Sequence, residues 1–489
     1  MRDIKTQAFR SVKVTLSVQA IKFLIGLGVT MVLARLLTPK DYGLVAMAGV
    51  ITGFVAVFRD GGLSIATVQR AEITDAQIST LFWINAALGT VSALVVVLLS
   101  VLVGWFYNDL SLVWILVALA VPLIIGSLSA QPQALLQRQM RFKEIAIIEI
   151  ASLIISAAIG MITADAGWGS WALVTMTIVA TAANSALVFF FCRWRPDRPT
   201  WNAGVLEIVK FGGELTANKF FDALAGSVDT LLMGKLFSAE MVGLYTRAQS
   251  LMLLPLSQIV PAFISVALPV LSRLAERPES LKRVFLDLLR LSTFASSFLA
   301  VFLVVGADLL IRIVLGPQWM ETAEVLSLLL GPAFFIPLST FCVVSLTAQG
   351  RGAVLWRWSL QKNIVTILAI LAGITWGAHG VAGALSISSV FILLPLLNNI
   401  TAKAGLANLK EVWSVTGMGL GSCVIGCGVL YLMRLQLALE NPLIGLFVLF
   451  LMNVAFHAVV ICALPSSRSA FARIINVISS SRTPRQEIN

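Results

Sequence analysis

About fourteen apolar runs, each long enough for a helix to cross a hydrocarbon core roughly 30 Å thick, constrain this chain more than any motif in it. They fall near residues 14–37, 42–66, 79–106, 111–134, 145–163, 170–192, 208–236, 242–271, 286–314, 323–347, 359–376, 380–400, 412–432 and 443–464. No break between them is long enough for a water-soluble domain. In lipid every backbone polar group must be satisfied within the span, and runs of this length do that as helices. The expected fold is an all-α polytopic membrane protein. The first run is too long for a cleaved signal peptide and no small-residue cleavage site follows it, so it is read as a retained helix.

A formal charge of +11 suggests nucleic acid until the basic residues are placed. They gather on alternate breaks: Arg2, Lys5, Arg10 and Lys13; Arg70; Arg138, Arg141 and Lys143; Arg193, Arg195, Arg198 and Lys210; and onward to Lys403, Lys410 and the C-terminal tail. The opposite breaks hold only Arg35, Lys40, Lys235, Arg312 and Arg434. The positive-inside rule then predicts both termini in the cytoplasm, with an even number of spans. The charge is a record of topology, and no nucleic-acid partner is expected.

Two segments 200 residues apart share an outline: "ARLLTPKDYGL" at 34–44 and "GKLFSAEMVGL" at 234–244. Upstream in the same register, Gln19, Lys22 and Gly26 stand opposite Lys219, Asp222 and Gly226. Spacings of three and then four put each set on one helix face, and Asp229 continues the second. With six spans between them, the two copies have the same orientation, so the repeat is parallel. The chain is therefore expected to form two six-helix lobes, 1–200 and 201–402, and a C-terminal helix pair with a cytoplasmic tail, 403–489.

Four basic residues remain inside spans: Lys22, Arg59, Lys219 and Arg247. At roughly 2.5–3.5 kcal/mol for each such charge near a helix centre, they are expected to face a wet interior and bind an anion. Arg247 and Arg59, nearer their span ends, have snorkelling to the headgroups as an alternative. Asp60, Glu214, Asp222 and Asp229 are the acidic candidates for ion coupling or gating. Lys22 and Asp222, equivalent in the repeat and opposite in sign, are a candidate pair across a cavity. Glu149 and Asp308 also lie in spans, with a coupling role and a local hydrogen-bonding role both open.

Pro255, Pro261 and Pro269 in the eighth span, Gly61 and Gly62 in the second, and Pro332 and Pro337 in the tenth mark possible bends or static kinks. "GMGLGSCVIGCG" at 417–428 reads as a close-packing helix face. Cys192, Cys342, Cys423, Cys427 and Cys462 lie in or beside apolar runs and read as packing residues rather than metal ligands or disulfides. Trp105, Tyr107, Trp168 and Trp171 sit near span ends, where interface anchoring is the expected role. His379 and His457 are the only histidines and join no acid–base constellation.

"VLARLLTPKDYGLVAMA" at 32–48, "FRDGGLSIATVQR" at 58–70 and "VDTLLMGKLFSAEMVGLYTRAQSL" at 228–251 resemble polysaccharide transporters of the multidrug, oligosaccharidyl-lipid and polysaccharide exporter superfamily. Within it the chain is most similar to Wzx-type flippases of the colanic acid and succinoglycan branch. The resemblance implies two six-helix bundles around a cationic cavity in the bacterial inner membrane. It implies that they move undecaprenyl-diphosphate-linked oligosaccharide repeat units between leaflets for exopolysaccharide synthesis, by alternating access coupled to H+ or Na+ and without a bound cofactor. Membrane lipids and a polysaccharide polymerase and export complex are the further partners it implies. Arg59 immediately before Asp60 departs from the general pattern. The alternatives are a multidrug or peptidoglycan-precursor exporter of the same fold, and a membrane polysaccharide polymerase. The polymerase is disfavoured because every predicted outer loop is short, so no enzyme is expected.

Overall fold

The computed structural model describes residues 2–489 except 71, 201–203, 207–208, 210–212, 214–215, 217–219, 221–222, 275–276, 438–440, 466, 470–472 and 474–489. The described residues are almost wholly helical. Eleven helical runs among them are long and apolar enough to cross a membrane. The chain divides into two compact units, 1–246 with 314–318, and 247–313 with 319–489.

The first unit holds α1 (Arg2–Leu36), α2 (Pro39–Asp60), α3 (Leu63–Gln69), α4 (Asp75–Tyr107), α5 (Ser111–Arg138), α6 (Phe142–Asp165), α7 (Ser170–Cys192), α8 (Val228–Leu236) and the first turns of α9 (Ala239–Arg273). Capping chemistry sets several starts. Thr38 and Asp41 form a reciprocal capping box at the start of α2, with Pro39 at the first helical position, and Thr74 and Gln77 form another at α4. Helices α4 and α5 pack as a pair, as do α6 and α7, while α1 lies along α6 and α2 against α4, α5 and α7.

Large apolar residues face outward as well as inward, and small polar ones sit in the helix contacts. On α4, Leu98 is 72% exposed and Val101 64% exposed, while Ser92 and Ser100 are buried. Ser185 of α7 donates to Ser129 of α5 at 2.9 Å, and an added Cβ on Gly89 would lie 2.1 Å from Ser127 Oγ. Lipid tails are as apolar as leucine, so large side chains gain nothing by turning inward. Small ones let helices approach closely.

The second unit is built on α10 (Pro278–Val305), followed by α11 (Ala307–Val314), α12 (Met320–Leu328), α13 (Leu330–Ala348), α14 (Gly352–Gly373), α15 (Gly377–Ser388), α16 (Leu394–Lys403), α17 (Leu409–Leu437) and α18 (Pro442–Ala463). Helix α10 packs against α13, α17 and α18. Helices α14 and α15 fold back on each other, and a Cβ on Gly373 would lie 2.3 Å from the carbonyl oxygen of Gly380. In the 417–428 run, Gly419 abuts Thr293 and Gly426 abuts Phe456 and Val301, the close approach expected of a packing face.

Several sequence-derived boundaries change. The second run, read as 42–66, ends its helix at Asp60, where Gly61 (φ 54°) and Gly62 (φ 69°) take left-handed conformations that a glycine adopts without steric cost. The ninth run, 286–314, is two helices broken at Gly306, and the tenth, 323–347, is two helices broken at Leu329. Pro332 and Pro337 lie in the second helix of that pair. Conversely α9 is assigned as helix straight through Pro255, Pro261 and Pro269. The expected fourteen spans thus become eighteen described helices. Hydropathy does not register a break that leaves apolar residues on both sides, and part of the seventh predicted span lies outside the described residues.

Candidate substrate site

Helix geometry gathers the two candidate cations described in the first unit, Lys22 and Arg59, at one level. Lys22 lies 14 residues before the end of α1, about 21 Å at 1.5 Å per residue. Arg59 comes near the end of α2, but its guanidinium reaches back over Gly126 of α5. A Cβ there would lie 2.6 Å from a terminal Arg59 nitrogen and 3.5 Å from Thr181 of α7. Gly126 stands 15 residues from the start of α5, about 22 Å along it. The start of α7 marks the same end of the unit as the start of α2, because a Cβ on Gly169 would lie 2.8 Å from Asp41.

Lys22 Nζ donates to Glu149 Oε2 of α6 at 2.9 Å, with the side chains 39% and 35% exposed. Glu149 lies 16 residues before the end of α6, about 24 Å, at the same level again. One turn beyond Lys22, an added Cβ on Gly26 would meet nothing within 4 Å, so that face of α1 is open among the described residues. Arg59 is half-buried, and its Nε is buried without a hydrogen-bond partner among the described residues. A guanidinium in that state offers donors to an anion in a planar array that suits phosphate.

The remaining sequence-derived candidates fall differently. Asp229 is buried on α8: Tyr245 Oη donates to its Oδ2 at 2.8 Å and the Thr230 backbone N–H to its Oδ1 at 2.6 Å. These bonds enclose the carboxylate. Arg247 is half-buried on α9 in the second unit. Lys219, Glu214 and Asp222 lie outside the described residues, as does the side chain of Asp60. The described partner of Lys22 is therefore Glu149, which the sequence placed in a span without assigning it a role. Gly126 as the seat of Arg59 has no signal in the sequence, where small residues recur in every run.

In the second unit, Arg434 of α17 donates through both terminal nitrogens to the two carboxylate oxygens of Asp308, one bond being 2.6 Å, and to the Val305 carbonyl oxygen at 2.6 Å. The pair borders a cleft of about 370 Å³ with Tyr431, Leu309 and Met452. Asp308 lies beyond the end of the α10 span. Burial alone would raise its carboxyl, but the bonds to Arg434 and to nearby backbone N–H groups outweigh it and hold the group below the usual range. His457 packs deep in the same unit, its Nε2 3.1 Å from Ser297 Oγ.

A family model described as "Polysaccharide biosynthesis protein" matches residues 32–324. The chain is 26% identical over 385 residues to the lipopolysaccharide biosynthesis protein WzxC of Escherichia coli (strain K12), covering 77% of this chain and 76% of that protein. It is 24% identical over 377 residues to the succinoglycan biosynthesis transport protein ExoT of Rhizobium meliloti (strain 1021), covering 76% and 73%. Among solved structures the lipid II flippase MurJ superposes with a TM-score of 0.72 at 15% identity, covering 94% of this chain and 99% of that one. That likeness is one of fold.

Proposed function

The chain belongs to the polysaccharide biosynthesis protein family, and from that membership and from Arg59, whose buried Nε has no hydrogen-bond partner among the described residues, we propose that it flips lipid-linked oligosaccharide repeat units across the inner membrane for exopolysaccharide synthesis. The diphosphate of such a carrier, read here as undecaprenyl diphosphate, is the part that cannot cross hydrocarbon unaided. Arg59, with Lys22 at the same depth, supplies charge where that group needs it. The glycan travels through water and the prenyl tail stays in lipid.

The observation that carries the reading is Arg59 on Gly126. Placing a guanidinium inside an apolar unit costs free energy that a purely structural residue would not require, and its Nε is left without a partner among the described residues. Both termini in the cytoplasm, coupling to an H+ or Na+ gradient through alternating access, and work beside a polymerase and export complex complete the proposal. The protein is read as a carrier and not an enzyme.

The test is the sidedness of the lipid-linked unit in spheroplasts, read with a membrane-impermeant glycan-modifying probe, with the protein present, absent, or carrying Arg59→Ala. Trapping of the unit in the inner leaflet without the protein and with Arg59→Ala is the expected result. Normal arrival in the outer leaflet without the protein overturns the reading and makes small-molecule export the leading one.

A further inference from the structure

Lys22 and Glu149 form a direct ion pair between α1 and α6, at the level of Arg59, and about a third of each side chain is open. Such a pair is cheap to exchange: partly exposed ion pairs are worth on the order of 1 kcal/mol or less. We propose that an anionic cargo displaces Glu149 from Lys22 and that the released carboxylate takes up a proton, so that cargo binding and proton binding are linked through this pair. The inference rests on the flippase reading and names the residue through which its coupling would run.

The physical step is short. With a diphosphate on Lys22, Glu149 loses its cation and gains an anion as neighbour, and two like charges at one site cannot both stay ionised cheaply. A proton from solvent neutralises the carboxylate, and no other covalent bond changes. Helix α6 packs against α1, α5 and α7. The other charges described on those elements are committed or distant. Arg138 of α5 donates to the carbonyl oxygens of Thr67 and Arg70. On α6 itself Glu144 is held by Arg141, Lys143 lies nearly two turns below, and Asp165 is at the far end. Arg35 is at the far end of α1, and α7 carries no charged residue and only Cys192 as a titratable one. Among the described residues, then, Lys22 is the only charged group in contact with Glu149.

Linkage is reciprocal: if cargo binding recruits a proton, protons strengthen cargo binding by the same factor. Glu149→Gln mimics the protonated state permanently. It should bind anions at least as tightly as the wild type and lose the linkage, whereas Lys22→Gln should bind them about tenfold or more weakly.

The experiment is titration calorimetry of the purified full chain with farnesyl diphosphate, in buffers of different ionisation enthalpy from pH 6 to pH 8. Subtracting the proton uptake of Glu149→Gln from that of the wild type cancels protons bound by the ligand itself. The expected difference is a net proton uptake by the wild type that grows from pH 8 toward pH 6, with affinity falling more steeply with pH in the wild type. Equal uptake by the two proteins overturns the proposal and leaves the flippase reading standing. No binding of farnesyl diphosphate to the wild type sinks the diphosphate reading and this inference with it.

Discussion

Gly43 and Gly243 meet backbone to backbone: an added Cβ on Gly43 would lie 1.6 Å from the carbonyl oxygen of Ala239, and one on Gly243 would lie 1.9 Å from that of Pro39. The contact is reciprocal, each glycine abutting the first residue of the helix that contains the other. This gives the sequence repeat its physical meaning. "TPKDYGL" and "SAEMVGL" recur because each begins a helix with a hydroxyl cap, Thr38 or Ser238, and then presents a glycine to its counterpart.

Substitution at either glycine therefore meets backbone, which cannot step aside as a side chain can. Gly43→Ala and Gly243→Ala should each destabilise the protein by about 3 kcal/mol or more, at or beyond the usual overpacking range. The check is thermal unfolding and the monodisperse fraction in detergent. Gly49→Ala and Gly53→Ala on the same α2, where an added Cβ meets nothing within 4 Å, are the controls and should be neutral or mildly stabilising. Equal tolerance at Gly43 and Gly49 would refute the contact.

Gly126→Val should push the Arg59 guanidinium off its seat while leaving the helices able to pack, since the residue it displaces is the far end of a flexible side chain. Transport, measured as the sidedness of the lipid-linked unit, should fall at least tenfold with little loss of thermal stability. Arg59→Lys should retain only part of the activity, because an ammonium lacks the planar donor array. A fully active Gly126→Val would separate Arg59 from the transport reaction.

How much of this was legible in the sequence follows from what a one-dimensional pattern records. Lys22 and Arg59 stood out because a charge in an apolar run is costly wherever it points. Glu149 was equally visible, but its pairing with Lys22 depends on α1 lying along α6, 127 residues away, which no periodicity encodes. Asp229 was found through its helical spacing, yet its enclosure by Tyr245 depends on α9 turning back toward α8. The break at Gly306 went unseen because Val304, Val305, Leu309 and Leu310 around it keep the hydropathy of the run high despite Asp308. The prolines of α9 end no helix, since neighbouring groups in a membrane protein can re-satisfy the backbone a proline frees.

Tyr245 is fully buried with its hydroxyl on the Asp229 carboxylate. Tyr245→Phe keeps the ring and removes that hydrogen bond to the buried carboxylate. The expected cost is about 1–3 kcal/mol of stability, read from thermal unfolding. Asp229→Asn should cost less in the Tyr245→Phe background than alone, because the two residues share one interaction. Additive losses would show that they do not.

The Asp308–Arg434 clip predicts a pH dependence of stability with a defined sign. Asp308 is held below the usual carboxylate range, against the effect of its burial, by Arg434 and by backbone donors. A carboxyl depressed in the folded state contributes stability that is present above its unfolded value, roughly pH 4, and is lost as pH falls through the lower folded value. The clip is thus intact at pH 6 and at pH 5 and weakens only below the ordinary carboxylate range. Thermal unfolding of the wild type and Asp308→Asn across pH 3–6 is the check. The wild type should be the more stable at the upper end, and the two should converge toward the lower end. A constant gap would mean that Asp308 contributes through shape alone, and a gap that widens on acidification would reverse the sign of the linkage and exclude the ion pair as its source.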